Sequence, residues 1–247
     1  MKIWIIASAF FALPCWAFTL NSSSDSNFKG WNNANISFKI NTSNCPSNID
    51  IAGLMNTAFQ IWNNVATSNI HLSIAGTTSS TSSSTPTTVY CETNFQSVTG
   101  ADQNYVPAAA SLSSSGDYAS SGVFYLNVSS GSANISRFDP TKLSIIMAHE
   151  IGHILGLGHS QDSAALMYYD ATAKTTLNLS QDDVDGVSYL YPRNELNGDK
   201  PMGCGLVRGL PPPPPGNAAA LLSLLLLPLL SALWLRARAL RLETAKT

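Results

Sequence analysis

Polar and apolar residues alternate through Asn35-Ile36-Ser37-Phe38-Lys39-Ile40, a period of two that predicts a strand with one buried face. Over residues 46–66 the period lengthens. Ile51, Leu54, Met55, Ala58, Phe59, Trp62 and Val65 recur at three- and four-residue steps, which draws one apolar stripe along a helix. That stripe reads as core rather than as a cofactor surface. Residues 70–74 alternate again and predict a second strand, with His71 on a strand face or in solvent. Residues 88–92, 108–113 and 122–128 predict three more short strands, and residues 77–88, nearly all Ser and Thr around Pro86, predict a loop. Asp139-Pro140 opens a helix that runs to Leu155, with the proline in a first turn where its missing N–H does no harm. Leu143, Ile146 and Met147 face the sheet from it. Residues 161–173 predict a loop, and Ser180 with Asp183 a capping box for a last helix.

The 247 residues allow one large domain or two small ones. Hydrophobic content is 45% and charge only 11%, so the chain can bury a core while hydroxyls and amides make up much of its surface. A net charge of -2 gives no electrostatic case for nucleic acid, which calls for a clustered basic face, so no nucleic-acid partner is expected.

The two ends differ from the middle. Residues 1–17 read as a secretory signal peptide: Lys2, an apolar stretch from Ile3 to Pro14, and Cys15-Trp16-Ala17 as a cleavage site before Phe18. Residues 18–27 form a short polar leader, in which Asp25 reads as a solvated residue, the alternative being a carboxylate that reaches a metal and masks it. Residues 28–195 are the expected folded domain. A Gly/Pro-rich spacer, residues 196–217, follows with Cys204 and the run Pro211 to Pro215. Residues 218–235 are an apolar run long enough to span a membrane, and residues 236–247 a basic tail with Arg236, Arg238 and Arg241. Positive charge there predicts a cytoplasmic C-terminus and the folded domain outside, at the surface or beyond it. Once Cys15 leaves with the signal, Cys45 and Cys91 are the natural disulfide pair in an oxidising compartment; the alternative is two buried free thiols.

The chemistry concentrates in His149-Glu150-Ile151-Gly152-His153-Ile154-Leu155-Gly156-Leu157-Gly158-His159. Four residues apart on a helix, His149 and His153 share a face and can grip one ion. Gly156 lets the chain leave the helix and bring His159 back as a third ligand. Three imidazoles with a fourth position open describe a catalytic Zn²⁺, since a structural zinc is closed by four protein ligands. Glu150 beside them suits a general base acting on a water.

This motif resembles that of the metzincin zinc endopeptidases. His159-Ser160 with Ala165-Leu166-Met167-Tyr168 is similar to the matrixin branch, peptidase M10, and the likeness continues through Leu179 to Tyr191. It implies an α+β zincin-like domain: a twisted, mostly parallel sheet with about three helices, a zinc helix, and a tight turn placing Met167 beneath the metal. It further implies hydrolysis of protein or peptide substrates by a monomer, and an extended substrate lying along the edge strand near residues 109–112, with Ala110 at the pocket. Tyr168 and Tyr169 are then pocket residues. Two alternatives stand beside this one: an astacin- or serralysin-like site with Tyr169 as an extra zinc ligand, and an inactive surface binding module. With four histidines in all, three of them in the motif, no second histidine-based zinc site is expected. Calcium sites built from Asp and backbone oxygens remain compatible with the composition. Glycine-cysteine, apolar run and arginine cluster together resemble the sorting tails of some bacterial surface proteins; a plain membrane anchor through the C-terminal helix is the other reading.

Overall fold

The computed structural model describes residues 18–21, 27–79 and 87–193. The expected signal peptide, Asp25, most of the Ser/Thr loop, the spacer, the apolar run and the basic tail lie outside the described residues. Among those described, no helix is long and apolar enough to cross a membrane.

Five strands, β1 (Asn35–Asn41), β2 (His71–Thr78), β3 (Thr87–Glu92), β4 (Ala108–Ser115) and β5 (Tyr118–Asn127), form one sheet in the order β2-β1-β3-β5-β4. All neighbours pair in parallel except β4, which runs antiparallel to β5 at the edge. Parallel partners need a crossover. Helix α1 (Ile51–Asn63) supplies it between β1 and β2. A short α2 (Phe95–Thr99) follows β3, α3 (Pro140–Leu155) follows β5, and α4 (Gln181–Leu190) comes last. This is the α+β architecture expected; the described residues hold three helices of ten residues or more, the short α2 and two 3-10 turns.

The core lies between the sheet and the helices α1 and α3. Phe38, Val89 and Phe124 reach it from the strands; Met55, Phe59, Trp62, Met147 and Ile151 reach it from the helices. Each such side chain contributes about 1.5–3 kcal/mol by leaving water. The Trp62 indole N–H donates to the Ala148 carbonyl at 3.0 Å, so α1 is pinned to α3 one residue before the first motif histidine.

Several boundaries differ from the pattern, each for a local reason. Helix α1 starts at Ile51 rather than near Pro46, because the Asp50 carboxylate accepts the Gly53 N–H and caps it there, while the Ile49 N–H closes a turn on the Pro46 carbonyl. Strand β2 runs past Ile74 to Thr78 through an irregularity that pairs Lys39 with Gly76. Strand β5 begins at Tyr118, in a hairpin with β4 turned at Gly116, whose φ is 59°. The serines on either side show no alternation, so pairing alone extends these strands. Helix α2 is too short for any periodicity to mark it; its Phe95 is fully buried.

Candidate metal centre

Helix α3 carries His149 and His153 one turn apart and ends at Gly156, whose φ of 104° only glycine adopts without strain. The chain then turns back to bring up His159. The Nε2 atom of His153 stands 3.1 Å from that of His149 and 3.2 Å from that of His159. The other ring nitrogens of the helical pair are engaged. His149 Nδ1 lies 2.8 Å from the Leu166 carbonyl, and His153 Nδ1 2.8 Å from the Leu157 carbonyl. A carbonyl only accepts, so both Nδ1 atoms carry the proton and both Nε2 atoms present bare lone pairs.

Burial drives the His149 pKa down to about 3, with the His153 charge adding to the effect, and burial drives His153 down to about 4. His159, the outermost ring, is lowered by the same cause. Neutral rings with lone pairs converging at such distances repel one another unless something positive sits between them. Zinc fits: bonds of about 2.0–2.1 Å at the ideal tetrahedral angle place two nitrogens about 3.3–3.4 Å apart, and the separations found here need that angle to close only to about 100°. Among the described residues this trio is the one group of three or more His, Cys, Asp or Glu side chains placed to hold a metal.

Glu150 is buried next to the trio, and burial pushes its carboxyl up to about 8 against the opposing effect of a hydrogen bond from the Ala110 N–H of β4. Both sit on a cavity of about 530 Å³ whose walls include the three histidines, Ala110, Ile146 and Tyr169. The edge strand and the metal helix therefore meet at one carboxylate.

Met167 is buried under α3, and a Cβ on Gly152 would run into its sulfur. Glycine at 152 is what lets the methionine come so close. The turn is held from the other side by Asp183 of α4. Its carboxylate accepts the Leu166 N–H at 2.7 Å, the Met167 N–H at 2.9 Å and the Ser180 N–H at 2.8 Å. Tyr168 packs against Tyr169 with ring centroids 4.5 Å apart and planes tilted by 48°, and a hydrogen bond to Tyr169 raises the Tyr168 pKa. Ala110 and Tyr169 line the cavity, and Tyr168 is not among its lining residues. His71 is exposed on β2, and Cys45 is joined to Cys91.

Three features of the site carry no sequence signal of their own. Gly152 reads as an ordinary motif filler, and Asp183 as a local cap. Residues 18–21, read as leader, instead lie against the loop that carries His159. The Asn21 N–H donates to the Gly156 carbonyl and the Gly158 N–H to the Thr19 carbonyl, both at 2.8 Å. The Thr19 hydroxyl donates to the His159 carbonyl at 2.7 Å.

The family model described as Matrixin matches residues 30–192. The chain is 44% identical over 68 residues to interstitial collagenase of Bos taurus, a match covering 28% of this chain and 14% of that protein. It is 50% identical over 60 residues to metalloendoproteinase 1 of Glycine max, covering 24% of this chain and 19% of that protein. It is 52% identical over 54 residues to stromelysin-1 of Rattus norvegicus, covering 21% and 11% respectively. These matches thus span less than a fifth of each relative's own length.

Proposed function

The chain belongs to the matrixin family of zinc-dependent metalloendopeptidases, and from that premise we propose that it is an exported zinc endopeptidase cutting extracellular proteins, with Glu150 as general base. The observation that carries this reading is the convergence of three Nε2 atoms, those of His149 and His153 left proton-free by their Nδ1–H bonds, beside a buried carboxylate on an open cavity.

His149, His153 and His159 would hold the zinc, which when bound would supply a Lewis acid for the substrate carbonyl and lower the pKa of a water toward about 7. Glu150 takes the proton from the attacking water and passes it to the departing amine. The Ala110 N–H fixes the direction of that carboxylate. The peptide itself lies along the outer edge of β4, whose backbone groups on that side have no strand partner among the described residues. Met167, on its Asp183 tether, supports the trio from beneath, and Tyr169 is pocket wall rather than ligand. Residues 1–17 direct export, and residues 218–235 hold the enzyme at the membrane or hand it to the surface.

The test uses the full chain, assayed for bound zinc and for cleavage of casein or gelatin with and without a chelator. Glu150→Ala should keep one zinc per chain and lose cleavage. A variant that binds zinc and still cuts as the wild type does would remove Glu150 from the mechanism.

A further inference from the structure

Lys142 lies on α3 seven residues before His149 and four before Ile146, so the three share one face of the helix over two turns. Its ammonium does not extend into solvent. It donates to the Thr172 carbonyl at 2.5 Å and also to the Lys174 carbonyl. Those carbonyls belong to the segment that follows the methionine turn, where Ala171–Ala173 makes a single 3-10 turn. Ala171 and Thr172 line the cavity, and so does Ile146 of α3. The same segment is tied down elsewhere. Asp170 accepts the Thr172 hydroxyl at 2.6 Å and the Ala173 N–H at 3.2 Å, and the Lys174 ammonium donates to the Ser163 carbonyl at 2.9 Å. Of these tethers only the Lys142 pair joins the segment to the zinc helix itself, which also carries Ile146 to the cavity.

We propose that Lys142 is a specificity-determining positioning residue, whose hydrogen bonds to the Thr172 and Lys174 carbonyls fix the width of the recess beside Glu150 and so the size of the substrate side chain admitted there. The inference rests on the peptidase reading given above. Lys142 touches neither substrate nor metal. It acts through the wall: without the ammonium, two carbonyls lose charge-assisted partners, and the Ala171–Thr172 turn gains freedom to move away from Ile146.

The experiment compares the zinc-loaded full chain with Lys142→Met and Lys142→Arg on a peptide library varied at each position around the cut. For Lys142→Met, preference at one substrate position should broaden toward larger side chains. KM for the best wild-type peptide should rise about tenfold, while kcat stays within about twofold. Lys142→Arg, which keeps the charge and the donors, should restore the wild-type profile. Hydrogen exchange gives a readout independent of turnover: amides of residues 172–175 should exchange about tenfold faster in Lys142→Met, with zinc content unchanged. A folded, zinc-loaded Lys142→Met with the wild-type library profile would overturn the proposal, and so would unchanged exchange in that segment. If the wild type cuts no peptide at all, the peptidase reading is what fails; faster exchange in Lys142→Met would then still uphold the tether.

Discussion

The Asp183 carboxylate accepts the backbone N–H of Met167 at 2.9 Å, from an element sixteen residues further along the chain. It takes the Leu166 N–H as well, and the Ser180 N–H within its own capping box. One buried side chain therefore closes α4 and fixes the turn beneath the histidines. Asp183→Ala would leave three N–H groups without their acceptor, two of them in the buried turn. A loss of about 3 kcal/mol or more is expected. Urea denaturation should show it as a lower midpoint with a similar slope, and the purified variant should hold less zinc than the wild type. Ser180→Ala removes only a cap and should cost about 1 kcal/mol with zinc content unchanged.

Gly152 is predicted to be intolerant of even one methyl group. An added Cβ would meet the Met167 sulfur on one side and the Trp62 ring on the other, at 3.1 Å. Both neighbours are buried, and neither is the loose end of a surface side chain. Overpacking of this kind typically costs about 1–3 kcal/mol. Alanine otherwise favours a helix over glycine, so Gly152→Ala would stabilise α3 if the space were free. The sign of the change in melting temperature decides between the two: a fall is expected, and a rise would mean that Met167 does not press on position 152.

The three histidines should not be equivalent. His149 is buried and its Nδ1–H satisfies the Leu166 carbonyl, whereas His159 is exposed at the rim. His149→Ala removes a ligand, opens a void and strands a carbonyl, and should destabilise even the metal-free fold by about 2–4 kcal/mol. His159→Ala should weaken zinc binding strongly while leaving the metal-free fold within about 1 kcal/mol of wild type. Calorimetry in a chelator, followed by zinc titration, separates the two effects.

How much of this was legible depends on the range of each interaction. The zinc trio was readable because its geometry is local: two ligands share a helical face, and a glycine allows the return to the third. The strand from Asn35, the stripe from Ile51 and the cap at Asp139 were readable for the same reason, since period and capping act over a few residues. What escaped is long-range. Asp183 announces its bond to Ser180 and conceals its bonds to Leu166 and Met167. Lys142 looks like any polar residue of a first turn, and its acceptors lie thirty or more residues away. Residues 18–21 have leader composition, yet they pair with the loop at Gly156 and Gly158. No periodicity encodes a contact of that kind.

The metal-free fold should have its best stability near neutral pH, with the two limbs set by different residues. His149 and His153 are depressed to about 3 and about 4 from an ordinary value of 6.5, so on folding they shed protons that the unfolded chain keeps. Their stability is fully present above about pH 6.5 and is lost as pH falls toward 4. Glu150 runs the other way. It is raised from 4.5 to about 8, so the folded chain holds a proton that the unfolded chain has lost, and stability declines as pH rises from about 4.5 to 8. Between 4.5 and 6.5 two histidines oppose one carboxyl and stability climbs with pH; above 6.5 the carboxyl acts alone and stability falls. Melting temperatures of the chelated chain, measured from pH 4 to 9, should therefore pass through a maximum near 6.5. Glu150→Gln should flatten the alkaline limb and leave the acid limb in place. Zinc should also flatten the alkaline limb, because a cation beside Glu150 favours its charged form. An alkaline limb just as steep in Glu150→Gln would assign that titration to another group and take the raised carboxyl out of the account.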